Sequence, residues 1–410
     1  METRREIWLD WLRVSACFMV MLVHSTEPFY LGGDGSLIAS RTDALWAAFF
    51  DSLVRSCVPL FVIASSYLQF PLHYSTGEFF RRRAVRILIP FVIWSVFYAF
   101  WWGEPVSNLK DLLLNFNYAA GHLWFVYMLI GLYIIMPLLS PWAEKVSRKE
   151  LTAYIGLWLL TTTIPFLRDW LVSRPLALTY GPTGIPRQAL YPLWGEASWN
   201  SYGTFYYISG LVGYLLLGLW FRRFGDSISR RQSFAVGIPC YLAGFAITFG
   251  GFLRRVFQDA AEEAFQPGTG ADGFPLSGGV DLAVRWETSW GFDTLGVALM
   301  AIGIILMMRN IKADGRFYRH AILPASNAGY GMYLGHMVAL SAFSGLYIRI
   351  IPAESLSPAL ATPLIILATA ASAFITTALA AILLRRIPRL GKYIIESGLP
   401  VIVGDRNPYG

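Results

Sequence analysis

The sequence predicts an all-α, polytopic integral membrane protein with about ten transmembrane helices and both termini on the cytoplasmic side. Three observations carry this. The 410-residue chain is 55% hydrophobic and only 14% charged, where soluble domains carry roughly 25% charged residues. Apolar runs long enough to cross a bilayer recur along its length. The segments between those runs alternate between rich and poor in lysine and arginine.

The spans are read at approximately 8–28, 45–69, 84–102, 122–140, 151–167, 204–221, 234–253, 290–309, 326–348 and 362–384. The fifth is the weakest, because Thr161, Thr162 and Thr163 are followed by Pro165. With the N-terminus inside, twenty-two lysines and arginines fall in cytoplasmic segments and nine in outer ones. That excess matches the positive-inside rule, and an odd number of spans would spoil the alternation. The first span carries Arg13 and no convincing small-residue cleavage site, so it is expected to stay as an uncleaved helix. A single membrane domain over 1–410 is expected, with 385–410 as its cytoplasmic tail.

The net charge of +7 could suggest nucleic acid, but the basic residues lie between apolar segments, as topology requires, so no nucleic-acid partner is expected. Cys17, Cys57 and Cys240 all fall in spans and make neither a zinc spacing nor a disulfide framework. No HExxH or CxxC supports a metal site, no Walker A run or GxGxxG a nucleotide site, and no GxSxG a nucleophile elbow.

Two ionisable residues stand inside the first span, WLDWLRVSACFMVMLVHSTEPF: Arg13 and His24. Such groups are costly in hydrocarbon and usually face an interior site. Eleven residues at about 100° each bring them onto one helix face, about 16 Å apart along the axis. Asp10, three residues before Arg13, and Glu27, three after His24, lie close to the same face. If hydrocarbon begins near Trp8, Arg13 is about 7 Å deep and His24 about 24 Å deep in a layer of about 30 Å. Histidine suits proton removal from an alcohol near neutral pH. Arginine stays charged and can hold a carboxylate, a phosphate or a developing oxyanion. Pairing of Arg13 with Asp10 for neutralisation alone is the competing reading.

His122 opens the fourth span beside Trp124, at the depth of His24, and could assist it or position an acceptor. His336 sits within SNAGYGMYLGHMVAL, where Gly329, Gly331 and Gly335 allow close helix approach. Arg55 lies mid-span and needs a counter-ion, for which Asp51 one turn earlier is the candidate. In FFRRRAVRILIPFVIW, Arg82, Arg83 and Arg86 serve topology and could also grip the phosphates of an anionic cytosolic cofactor. Two outer loops are long, about 168–203 and 254–289. Two readings stand for Trp194 and Trp199 in the first: sugar platforms or interfacial anchors.

Five elements in order then resemble one family. LDWLRVSACFMVMLVH matches a Leu-Asp-x-Leu-Arg opening with Arg-x10-His at Arg13 and His24; VPLFVIASSYL, FFRRRAVRILIPFVIW, GHLWFVYMLIGLYIIMPLL and SNAGYGMYLGH follow. Together they resemble the integral membrane acyltransferase family 3, and within it the stand-alone surface-sugar O-acetyltransferases such as the enterobacterial common antigen type. Ser66 stands where that pattern has glycine, and no fused hydrolase-like domain is expected after residue 384.

The resemblance implies transfer of an acetyl or similar acyl group, with succinyl the main competitor, from cytosolic acyl-CoA (acetyl-CoA as co-substrate) to a hydroxyl of a cell-surface or lipid-linked glycan, in the bacterial inner membrane. It implies His24 as base, with Arg13 and Asp10 completing the catalytic set. Glu27, His122, Trp124, His336, Trp194 and Trp199 are candidate acceptor contacts, and Arg82, Arg83 and Arg86 candidate donor contacts. Membrane lipid surrounds the chain, and a homo-oligomer is left open. The rival expectation is a transporter or flippase of a lipid-linked sugar or small anion, since helices with midplane charges suit that class too.

Overall fold

The computed structural model describes residues 5–31, 36–114, 118–172, 179–180, 186–187, 195, 200–263, 273–351, 356–387, 391 and 394–395. Trp194 and Trp199 lie outside these residues, as does most of the tail. The helices run α1 (Ile7–Thr26), α2 (Arg41–Val54), α3 (Cys57–Gln69), α4 (Thr76–Arg83), α5 (Ile89–Trp101), α6 (Pro105–Leu114), α7 (Trp124–Lys145) and α8 (Arg148–Thr161). They continue as α9 (Ile164–Val172), α10 (Val212–Phe224), α11 (Arg230–Glu263), α12 (Gly279–Trp286), α13 (Leu295–Met308), α14 (Leu323–Ile350) and α15 (Pro358–Arg385). Among the described residues, strands are confined to two antiparallel pairs of two residues: β1 (Leu37–Ile38) with β4 (Leu276–Ser277), and β2 (Thr179–Tyr180) with β3 (Pro186–Arg187).

Among the described residues, eight helical stretches are long and apolar enough to cross a membrane. A bent pair, Gly279–Trp290 with Leu295–Met308 at 46°, makes a ninth. The architecture is therefore polytopic and all-α. The expected span at 204–221 is the one that differs. There α10 has 13 residues, only about 20 Å of helix. The segment before it turns instead: the Gly210 carbonyl is taken by Trp158 Nε1 at 2.7 Å, which fixes a turn where an intrahelical bond would extend the helix.

Proline accounts for three of the irregularities: one break and two widened turns. The Arg41–Gln69 span breaks at Arg55 and Ser56, because Pro59 has no N–H to offer the Arg55 carbonyl. Widened π turns at Ala84–Leu88 and Tyr318–Ile322 stand just before Pro90 and Pro324, which equally cannot complete an α turn. Helix starts are set by capping serines: Ser75 accepts from Glu78 N at 3.3 Å and Ser147 from Glu150 N at 3.2 Å, each in a Ser-x-x-Glu box.

The Arg41–Gln69 window is 83% buried, against 33% for those of Thr76–Trp101 and Gly121–Lys145. So α2–α3 lies at the centre with α1, while α5 and α7 turn one face outward. Small residues permit the closest crossings. A Cβ on Gly244 of α11 would lie 2.3 Å from the Gly296 carbonyl oxygen of α13, so side chains are excluded from that seam. Ser66 of α3 is accommodated against Gly218 of α10, where a Cβ would come within 2.5 Å of the Ser66 Cβ. The Ser66 hydroxyl donates to the Leu215 carbonyl at 2.5 Å, which satisfies a buried polar group between two helices.

Arg55 sits at the break in its span as a tie. It bonds Asp51 Oδ1 at 3.2 Å, the partner expected one turn earlier, and donates to the Trp290 carbonyl at 3.0 Å. Its guanidinium lies 5.3 and 5.1 Å from the Trp290 and Phe292 rings. At its C-terminal end α11 continues ten residues past the expected end at 253. Arg254 and Arg255 meet Asp169 at 3.0 and 2.8 Å, and Trp286 Nε1 meets Asp259 at 2.7 Å. The second long loop is thus partly helical. In the tail, Ile395 is buried against Gly331, and the Ile394 carbonyl accepts from Trp94 Nε1 at 3.0 Å.

Candidate active site

One cavity runs beside α1, enclosing about 1050 Å³ counting the part open at its mouth. Arg13 and His24 both line it, with Val20 between them. Their common helix face follows from the eleven-residue spacing in an unbroken α-helix. From α3 come Phe61, Ser65 and Gln69, from α4 Arg83, and from α7 Trp124, Phe125, Leu129 and Tyr133. From α14 come Ser326, Gly329, Tyr330 and Tyr333, and from the 3-10 turn Tyr118–Leu123 comes His122. Among the described residues, the lining holds two guanidinium groups and two imidazoles and no carboxylate. Such a wall attracts anions and stabilises developing negative charge.

Asp10 stands behind Arg13, fully buried and outside the cavity lining. It accepts from Arg5 Nε and Nη2 at 2.7 and 2.8 Å, Arg13 Nη2 at 3.2 Å, Ser326 Oγ at 2.7 Å and Tyr318 Oη at 2.7 Å. The carboxylate thus joins α1 to the widened turn and first residues of α14. Arg13 Nε also donates to the Leu9 carbonyl at 3.2 Å, which orients its fork. The Arg13–Asp10 pairing is part of a larger polar hub.

At the far end, His24 Nδ1 is 2.6 Å from Glu27 Oε1. Glu27, expected among the acceptor contacts, lies here beside the imidazole. The His336 ring lies 5.1 Å from the His24 ring and 5.2 Å from the His122 ring, so the three imidazoles form a row. His336 is fully buried and lines a smaller adjoining space with Cys17, Val20 and Phe61. The Nε2 atoms of His122 and His336 are buried without hydrogen-bond partners among the described residues. His336 Nδ1 is engaged by the Tyr333 carbonyl, and Tyr333 Oη donates to the His122 carbonyl at 2.7 Å. Trp124 stacks on Phe292 at 5.4 Å and closes the wall there.

The three arginines of the basic run part company. Arg83 is buried and lines the cavity, its Nη2 donating to Gln69 Oε1. Arg82 pairs with Glu78 at 2.6 Å and packs on Tyr74, and neither Arg82 nor Arg86 lines this cavity. The widened turn that follows Arg83 separates it in phase from Arg86. No group of three or more histidine, cysteine or acidic side chains among the described residues is arranged to hold a metal ion.

Tyr330, Tyr333, Ser326, Gln69 and Tyr133 also line the cavity, beyond the residues the sequence singles out. A signal was present for three of them: Ser326, Tyr330 and Tyr333 recur at four and three residues, one stripe of a helix. Gln69 and Tyr133 carry no such periodic signal.

Comparison with known families gives a match over most of the chain: the family model described as an acyltransferase domain covers residues 6–382. No curated protein and no solved structure matches the chain.

Proposed function

Because this chain belongs to the integral membrane acyltransferase family 3, we propose that it transfers an acyl group from cytosolic acyl-CoA to a hydroxyl of a cell-surface or lipid-linked glycan. Acetyl is the group proposed, in the manner of the surface-sugar O-acetyltransferases, that of enterobacterial common antigen among them. The bacterial inner membrane is the proposed setting. The observation that carries this reading is the shared cavity, with guanidinium groups towards one end and an imidazole at the other.

In the proposed reaction His24 removes the proton from the acceptor hydroxyl as that oxygen attacks the thioester carbonyl. The tetrahedral intermediate collapses, the C–S bond breaks, and the departing thiolate takes the proton back from His24. Glu27 on Nδ1 holds the ring so that Nε2 is the basic atom. Arg13 lies about 16 Å away along the axis, too far to touch the same carbonyl. It therefore holds the donor's arm, fixed by Asp10. Arg83, with Arg82 and Arg86 in the same basic run, draws the donor's phosphates to the cytoplasmic mouth. His122, His336 and Trp124, with Trp194 and Trp199 of the outer loop, are the proposed acceptor side.

The test uses purified protein in lipid vesicles with radiolabelled acetyl-CoA, and mass spectrometry of surface glycans from cells with and without the gene. Loss of an acetyl mass from one glycan, restored by the wild type and not by folded His24→Ala, supports the reading. Full transfer by His24→Ala overturns the assignment of the base. The alternative, a transporter or flippase of a lipid-linked sugar or small anion, draws on one observation: the breaks of two spans meet where Arg55 bonds the Trp290 carbonyl, and paired broken helices are common in transporters. Saturable acetyl-CoA binding favours the enzyme, and its absence the transporter.

A further inference from the structure

A second space adjoins the cavity. A groove of about 590 Å³, counting its open side, lies between the widened turn Ala84–Leu88 and α7. Arg83, Ile87 and Tyr133 line both spaces. The rest of the groove is apolar, and its lips Leu88 and Ile134 are 42% and 57% exposed. Both lips belong to stretches long enough to span a membrane, Thr76–Trp101 and Gly121–Lys145, so the groove opens towards hydrocarbon.

Among the described residues Arg83 is the one charged group lining it, and it is 8% exposed. Its guanidinium lies 5.1 Å from the Phe79 ring and 5.2 Å from the Tyr133 ring. Its Nε is buried and has no hydrogen-bond partner among the described residues. Glu78, the acid of the same helix, is taken by Arg81 at 2.9 Å and Arg82 at 2.6 Å. A buried cation without a counter-charge is strongly disfavoured and calls for an anion. An apolar groove facing the bilayer calls for an alkyl chain. One class of molecule supplies both at the cytoplasmic end of a span.

We propose that this groove binds an anionic membrane lipid, with its phosphate on Arg83 and one acyl chain lying between Leu88 and Ile134. The site goes beyond the transfer reaction but shares Arg83 with the proposed donor contacts, so a lipid phosphate and a donor phosphate would meet on the same guanidinium. Because Arg83 faces both spaces, the lipid headgroup would stand at the side wall of the central cavity.

The test is native mass spectrometry of the full chain released from neutral detergent containing phosphatidylglycerol and phosphatidylcholine of identical chains. The wild type retains phosphatidylglycerol in at least about fivefold preference. Arg83→Gln loses the preference. Ile134→Trp, which fills the groove without touching the cation, lowers retention by a similar factor, and exposed Arg81→Gln leaves it unchanged. Monodisperse elution checks each variant; should Arg83→Gln not fold, Ile134→Trp carries the test. Equal retention of the two lipids by the wild type, or unchanged retention by Ile134→Trp, overturns the proposal. So does displacement of the lipid by equimolar glycerol phosphate, which would give Arg83 to a free phosphate. Lipid retention is read without acyl transfer, so failure of this site and failure of the transfer reading are separately visible.

Discussion

His24 presents its Nδ1 to Glu27 Oε1 at 2.6 Å, one helical turn later in the same chain segment. The pair sits where α1 passes into the 3-10 turn Glu27–Phe29, so its geometry is set by local backbone. A carboxylate on one ring nitrogen fixes the tautomer and leaves the other nitrogen basic. Glu27→Gln keeps the shape of that contact and removes the charge. The expected outcome is a fall in kcat of about 10–100-fold with donor binding unchanged. His24→Ala should lose about 100–10,000-fold, the range typical of a general base. Single-turnover transfer assays with equal amounts of folded protein check both. A Glu27→Gln variant with wild-type turnover would remove Glu27 from the mechanism.

Asp10 receives hydrogen bonds from Arg5, Arg13, Ser326 and Tyr318. Asp10→Asn removes the buried negative charge and turns an amide N–H₂ towards several donors. Breaking a buried ionic contact of this kind costs about 3–5 kcal/mol. Arg13→Lys keeps the cation and loses the fork, so its loss of stability should be smaller and its loss of activity large. Thermal unfolding in detergent, read beside transfer rates, separates the two variants. Equal unfolding temperatures for Asp10→Asn and the wild type would count against the hub.

The crossing of α11 and α13 gives a paired test. Gly244→Val places branched carbons where a Cβ alone would be 2.3 Å from a backbone oxygen and 2.7 Å from Met300 Cγ. Overpacking of that kind costs about 1–3 kcal/mol, with backbone contact favouring the upper end. Gly250→Ala on the same helix meets nothing within 4 Å and should be neutral or stabilising by up to about 1 kcal/mol. Unfolding midpoints of the two variants should move in opposite directions or differ clearly in size.

His73, in the connection between α3 and α4, lies 3.0 Å from Arg222 Nη2 through its Nε2. Burial, and then the Arg222 cation, hold the imidazole below its ordinary value. The folded state therefore prefers neutral His73, whereas the unfolded chain takes up a proton near pH 6.5. Stability from this contact is present above that pH and is lost as pH falls below it, levelling off under the folded value. Unfolding temperatures measured from pH 7.5 to 5.5 should decline less in His73→Leu than in the wild type. An identical decline in both would place the pH dependence elsewhere.

Much of this arrangement is legible in the sequence because membrane helices are rigid and regular. The spacing of Arg13 and His24 specifies a shared face, and α1 is unbroken between them. The Asp51–Arg55 pair follows from one helical turn. What sequence periodicity could not supply is the content of non-helical or cross-chain contacts. The short α10 depends on Trp158 taking the Gly210 carbonyl, a bond across 52 residues. The Asp10 hub depends on Tyr318 and Ser326, more than 300 residues away in the chain. Asp10 and Glu27 were both visible as members of a polar stripe, but hydropathy does not say which member faces the cavity and which stands behind it. Arg82, Arg83 and Arg86 look equivalent in sequence; a widened turn and the Glu78 carboxylate distinguish them.

The two widened turns carry a consequence for how this molecule can vary. Each closes its ring from Ile89 N to the Ala84 carbonyl or from Leu323 N to the Tyr318 carbonyl, a step of five residues. One surplus residue there rotates all that follows by about 100° relative to an uninterrupted helix. On α14 this offset lets Tyr318 look back at Asp10 while Tyr330 and Tyr333 look into the cavity. A single-residue deletion in either turn would therefore act at a distance, swinging an entire helix face out of phase, and close relatives should tolerate substitutions in these turns far more readily than changes in their length.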